Sequence, residues 1–298
     1  MPAWGVPMVG RTIAAALMLL GTNEVAAQAK LNRGLPLNSD GGVRIYNNVG
    51  SVRVIGWKRD SVAVRGNLGK GNSIHMGGGK GGIKMFIEGI DDRNPAPADI
   101  EVYVPVASKV WVKTATASVE VTGVTGSLDL YVVGGKISVT GNPADINAEA
   151  IDGSIVVNGS PGWLRAKSAS GDVTLDGSSQ DVTISTVSGK IDADGTGFER
   201  AKFETITGAI RFAGSFRRGA HVRFDTHSGS VEIGMPGGSP ADFDIVSIAG
   251  PITNKLTSAR AVKGRYGRGA ELTASSGDGG SRIEVRSFKG PVTLLRLD

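Results

Sequence analysis

An all-β fold, a right-handed parallel β-helix or β-solenoid with rungs of about 18 residues, is what this sequence predicts, and three features predict it. Marker residues recur 18 positions apart at Ala117, Gly135, Gly153, Gly171 and Gly189, then at wider steps at Gly208, Gly229 and Gly250. Apolar residues stand seven and five positions before each marker, as Leu128 and Leu130 or Val182 and Ile184, and two and four after it, as Ile155 and Val157 or Ile210 and Phe212. A glycine closes most units six positions after the marker, as at Gly123, Gly141, Gly159 and Gly177.

Apolar residues at every second position, bounded by Gly, Ser, Thr, Asn and Asp, describe strands of about five residues with one face buried. Each unit therefore holds two strands. One such pair buries too little apolar surface to stand alone, whereas stacked units share a continuous core. The marker glycines suit a turn with φ > 0, and parallel crossovers favour the right hand.

In chain order, residues 1–29 read as a secretory signal peptide. Arg11 supplies the basic region, Ile13 to Leu20 the apolar stretch and Ala27-Gln28-Ala29 the cleavage site. Residues 30–42 are expected to form a linker, and 43–298 a single solenoid domain. Its first part, 43–109, is irregular. The phrase occurs once there, as Val43, Ile45, Gly50, Val52, Val54 and Gly56, and the pairs Val62/Val64, Ile83/Met85 and Ile100/Val102 mark further strands. The stretch Gly66 to Gly82, with eight glycines, is expected to be a mobile loop. A second connection carries Asp91-Asp92-Arg93 and Pro95-Ala96-Pro97 and reads as a surface turn. Regular rungs fill 110–254, and closing strands 270–295 contain Leu272, Ala274, Ile283, Val285, Val292 and Leu294.

Composition agrees with thin rungs and narrows the function classes. The 298 residues include 45 glycines, only 5% aromatics and no cysteine, so no disulfide or lipidated cysteine supports an exported chain. The net charge of +5 is spread among 33 basic and 28 acidic residues, which leaves no nucleic-acid footprint. Apart from the signal region, no apolar run approaches the ~20 residues of a membrane span.

The phrases "VRIYNNVGSVRVIGW", "IEVYVPVASKVWVKTATASVEVTGVTGSL", "STVSGKIDADG" and "ETITGAIRF" resemble the bacterial putative-adhesin family of β-strand-repeat proteins, a domain of unknown function. The resemblance runs from about Val43 to Leu294. It implies a right-handed β-helix-like fold in exported or envelope-associated proteins, and it brings no catalytic residues with it.

Chemical constellations are sparse. Gly77 to Gly82 fits G-x-G-x-x-G, but a strand follows it where a dinucleotide site needs a helix. His75, His221 and His227 are too few and too scattered for a metal centre. The hydroxyls just before the markers, Ser170, Ser188, Thr207 and Ser228, are placed to form a ladder along one corner. Asp176 and Asp194 share an outward lane, with Asp192 two residues away and Lys190 and Arg211 close by. This acidic patch is the weak candidate for a cation or for carboxylate catalysis. Trp111 and Tyr131, in the same or neighbouring lanes, are the candidate ligand-contact aromatics. No catalytic residue, cofactor or metal is assigned. The reading is an exported, non-enzymatic scaffold or binding module in the periplasm, at the cell surface or secreted, with a glycan or envelope protein as partner and no assigned oligomeric state. Two competing classes are a carbohydrate-active enzyme on a parallel β-helix and an envelope sensor accessory protein.

Overall fold

Each repeat phrase folds into two short strands, one on either side of its marker. The phrase around Gly153 gives Asp145–Ala150 and Ile155–Asn158. The computed structural model describes residues 30–89, 95–264 and 267–298, together with residue 1. The expected signal peptide, 1–29, and the Asp91-Asp92-Arg93 turn lie outside the described residues.

Strands before the markers pair in one parallel ladder, and strands after them in a second. Ile146 lies opposite Leu128 and Leu164, and Ile155 opposite Ile137 and Val173. Alternate residues of both ladders are buried and merge into one hydrophobic cluster. Among the described residues all 25 strands belong to this system, and no helix is long and apolar enough to cross a membrane.

The marker glycines are needed for a reason other than φ. None of Gly135, Gly153, Gly171, Gly189, Gly208, Gly229, Gly250 or Gly290 is among the positive-φ glycines, whereas the closing glycines Gly123, Gly141, Gly159, Gly177 and Gly214 are. At the markers the limit is close backbone approach. A Cβ on Gly189 would lie 2.1 Å from the carbonyl oxygen of Gly171, and one on Gly208 would lie 1.9 Å from that of Gly189. Each corner therefore rests on the corner of the rung before it.

At both ends the stacking order departs from the sequence order. The Gly50 rung sits between the strands Gly82–Glu88 and Ala98–Pro105 on one side and the Ala117 rung on the other. At the far end, the expected closing strands Arg282–Ser287 and Val292–Leu297 enter between the Gly229 and Gly250 rungs. They carry the full repeat phrase around Gly290. A Cβ on Gly290 would meet Gly229 O at 1.7 Å, and one on Gly250 would meet Gly290 O at 2.3 Å, so the corner lane runs 229, 290, 250.

The ladder ends are covered by antiparallel strands. Residues 30–42, expected as a linker, contain the strand Lys30–Pro36, which pairs with Ser61–Asn67. The glycine-rich stretch 66–82, expected as a loop, contains the strand Ser73–Gly79 in a hairpin with Gly82–Glu88. Its Ile74 is buried. Ala270–Ser276 covers Ala241–Ser247 in the same way. Such pairing satisfies backbone groups that a terminal rung would leave open.

Two strands are much longer than five residues. Ile191–Thr205 and Ile210–Thr226 run on through the closing corner without a break. Their wider rungs are filled by phenylalanines. Phe212 stacks on Phe216 at 4.4 Å, and Phe203 on Phe224 at 5.0 Å.

Gly189→Ala should lower stability by about 1–3 kcal/mol or more through overpacking, and Ile155→Ala by about 2–5 kcal/mol through a cavity. Gly77→Ala should change it by less than about 0.5 kcal/mol, because a Cβ there meets nothing within 4 Å. Urea denaturation reads all three, and equal losses would contradict the corner lane.

Candidate binding surface

On the outward face of the first ladder the N-terminal rungs carry a row of aromatic rings. Register places Phe86 beside Tyr46, Tyr46 beside Lys113, and Lys113 beside Tyr131, while Trp111 stands in the neighbouring lane between Arg44 and Asp129. The rings form two contacting stretches. His75 stacks on Phe86 at 4.6 Å, Tyr46 meets Trp111 at 4.8 Å, and Trp111 meets Tyr131 at 6.3 Å. Lys84 bridges the row, with its Nζ 5.2 Å from the Tyr46 ring and 5.8 Å from that of Phe86. The row crosses five strands, roughly 19 Å at the usual strand spacing.

Trp111 and Tyr131 were visible in the sequence, but the rest of the row was not. Tyr46 joins it because the Gly50 rung stacks on the Ala117 rung, and Phe86 and His75 join because the glycine-rich stretch is a hairpin. An outward tyrosine at the same position of the Gly50 and Gly135 phrases, Tyr46 and Tyr131, was the available signal. Phe86 is 38% exposed and His75 is also exposed; its Nε2 lies 2.7 Å from Glu88.

The acidic patch takes a different form. Asp176 and Asp194 are register partners on adjacent rungs. Arg211 donates to Asp192 at 2.7 Å and to Asp194 at 3.0 Å, and Lys190 reaches Asp192 at 2.5 Å. Partial burial by itself would raise the Asp192 pKa. The hydrogen bonds from Lys190 and Arg211 outweigh it and hold the carboxyl below the usual carboxylate range. A general acid needs the opposite shift. The basic side chains thus occupy the oxygens that a cation would need. Among the described residues no group of three His, Cys, Asp or Glu side chains is placed to hold a metal ion.

The corner hydroxyls are rearranged as well. Thr207 and Ser228 donate to carbonyls of the preceding rung and Ser170 donates to the Asp152 carboxylate at 2.8 Å, so the expected hydroxyl-to-hydroxyl ladder is not what organises the corner. Buried hydroxyls three residues before the markers hold it instead. Thr186 donates to Gly189 O at 2.6 Å, Thr226 to Gly229 O at 3.1 Å and Ser287 to Gly290 O at 2.6 Å, while Thr205 accepts from Gly208 N at 3.0 Å. Ser or Thr recurring three residues before a marker glycine was the signal for them. They are structural.

A concavity of about 1090 Å³ lies on the outward face of the second ladder, lined by Asn32, Arg53, Arg65, Glu101, Glu120 and Lys136 among others. Its central charges satisfy one another. Arg53 bonds Glu120 at 3.1 Å and Glu101 at 3.0 Å, and these contacts raise its already high pKa.

The sequence profile of the Toastrack DUF4097 family matches residues 98–295, and the chain belongs to that family. The family resemblance read from the repeat phrases is therefore shown. No curated protein matches the sequence. Among solved structures, a putative adhesin from Bacteroides fragilis is 9% identical, with 90% of this chain and 98% of the other covered and a TM-score of 0.44. A putative lipid binding protein from Parabacteroides distasonis is 13% identical, with 90% and 97% covered and a TM-score of 0.43. A putative cell adhesion protein from Clostridium sporogenes is 9% identical, with 90% and 100% covered and a TM-score of 0.21.

Because the Asp192 pKa is lowered in the folded chain, its ion pairs stabilise the fold above the unfolded carboxylate value of about 3.9 and lose that effect as pH falls through the lower folded value. Arg211→Ala should cost about 0.2–1 kcal/mol at pH 7 and flatten the acid side of the stability profile. Thermal melts from pH 2 to pH 7 check this, and an unchanged profile would contradict it.

Proposed function

We propose that the chain is an exported, non-enzymatic binding module of the cell envelope or surface, adhesin-like in role, which holds an extended glycan across the aromatic row. In this reading residues 1–29 direct export, and 43–298 form one right-handed solenoid with rungs of about 18 residues. The observation that carries the proposal is the alignment of Phe86, Tyr46, Trp111 and Tyr131 on one outward face, the last three in contact and Lys84 lying over both the Tyr46 and Phe86 rings. A sugar ring has an apolar C–H face and a hydroxyl rim. Aromatic faces match the first, and Arg44, Lys84, Lys113 and Asp129 match the second. Rungs at a fixed spacing present these groups in a line, which suits a polymer.

The competing reading, a carbohydrate-active enzyme, would place its chemistry at Asp176, Asp192 and Asp194. Arg211 and Lys190 hold that patch, and the lowered Asp192 pKa supports the non-enzymatic reading. Soluble polysaccharides titrated against the protein by calorimetry test the proposal. Trp111→Ala and Tyr46→Ala should each weaken glycan binding about tenfold, close to 1.4 kcal/mol, with melting temperatures kept. The pair Asp176→Asn with Asp194→Asn should bind as the parent does. Cleavage of a bound glycan, lost in that double variant, would overturn the reading, and so would binding that ignores Trp111.

A further inference from the structure

Most of the exposed large apolar side chains occupy a single structural position. Val133, Ile151, Val187, Ile206, Ile248 and Phe288, exposed by 43–53%, all stand two residues before a marker. In stacking order, the six central residues of this lane are Ile151, Ala169, Val187, Ile206, His227 and Phe288. His227 stacks on Phe288 at 4.8 Å. Beside the lane runs a groove of about 790 Å³, floored by the residues three before each marker. Its far wall consists of the residues four before, which in the same order are Glu149, Lys167, Ser185, Glu204, Asp225 and Arg286.

We infer that this face is where a second copy of the chain docks, antiparallel, about a two-fold axis between the Gly189 and Gly208 rungs. Reversing the wall against itself sets Glu149 opposite Arg286, Lys167 opposite Asp225, and Ser185, a donor, opposite Glu204. Every position then meets its complement, and two-fold symmetry repeats each pair. The apolar lane reverses equally well. Val187 meets Ile206 at the centre, small Ala169 faces the larger His227, and Ile151 faces Phe288. A parallel arrangement would oppose Glu149 to Glu149 and Lys167 to Lys167, which like-charge repulsion disfavours.

Several wall residues hold ion pairs within their own chain, Glu204 with Lys202, Asp225 with Arg223 and Arg286 with Asp244. Glu204, Asp225 and Arg286 are each partly exposed, and a carboxylate can accept further hydrogen bonds. The six rungs span only about 24 Å, and a strip this narrow falls at the small end of specific interfaces. The dimer is therefore expected to dissociate on dilution and to weaken as salt screens its charges.

Sedimentation velocity of the purified protein over a concentration series tests the inference. The parent should pass from monomer to dimer as concentration rises. Lys167→Glu and Asp225→Lys should each move the midpoint at least about tenfold higher, while the double variant, which swaps the charges, should return it to within about threefold of the parent. Ile206→Ser should weaken the dimer with no charge change. Lys167, Asp225 and Ile206 are all at least partly exposed, so melting temperatures within a few degrees of the parent would show that folding is intact. A parent that stays monomeric at every concentration would overturn the inference, as would single reversals without effect or a double variant that fails to restore the dimer.

Discussion

Backbone-on-backbone contact at the marker corner is the constraint on which this structure depends. Parallel strands can stay in register over many rungs only if the corners between them stack as closely as the strands do. At Gly153, Gly171, Gly189 and Gly208 a Cβ would lie between 1.9 and 2.1 Å from the carbonyl oxygen of the preceding corner, so no other residue fits without moving the rung. The buried hydroxyls at Thr186, Thr205, Thr226 and Ser287 then bind those same glycine backbones and lock the turn. The closing corner has the other glycine requirement, a positive φ at Gly141, Gly159 and Gly177. The marker turn is selected by space, and the closing turn by space and conformation together, since a Cβ on Gly159 or Gly177 would also lie 2.0 Å from the preceding glycine's carbonyl oxygen.

The surface follows from this constraint. Because each corner repeats, any side chain class kept at one position of the phrase becomes a continuous lane. The aromatic row and the charged wall are successive stretches of one such lane, four residues before the marker, where Tyr131 is the register partner of Glu149, and the apolar ridge is the lane two residues before it. No deep cleft is required for such a molecule to recognise something. In the proposed function, recognition works by repetition at a fixed spacing, which favours long ligands over small molecules.

Much of this was legible in the residues. The apolar pairs around Gly153 and Gly171 are the strands, their register is the one the spacing implies, and Asp176 does face Asp194. What could not be read was which rung lies beside which at the two ends. A phrase such as Ile283, Val285, Val292 and Leu294 fits against any other rung, so spacing alone suggests that rungs stack in sequence order. The structure instead places Gly290 on Gly229 and Gly250 on Gly290. The same ambiguity hid the length of the aromatic row, because Tyr46 and Phe86 reach Trp111 only through non-sequential stacking. The glycines of 66–82 misled for a different reason: they are compatible with an edge strand whose single buried anchor, Ile74, gives no period to recognise.

Rung order is the central claim and can be measured directly, since the chain contains no cysteine. Arg223 is the register partner of Glu284, which in turn is the register partner of Asp244. Neighbouring strands bring Cα atoms to about 4.8 Å, whereas strands two rungs apart are separated by roughly 9.6 Å, beyond the ~7 Å that a disulfide can bridge. Arg223→Cys with Glu284→Cys should crosslink on mild oxidation, and Arg223→Cys with Asp244→Cys should not. Crosslinking of the second pair in place of the first would show that the rungs stack in sequence order and would contradict the corner lane.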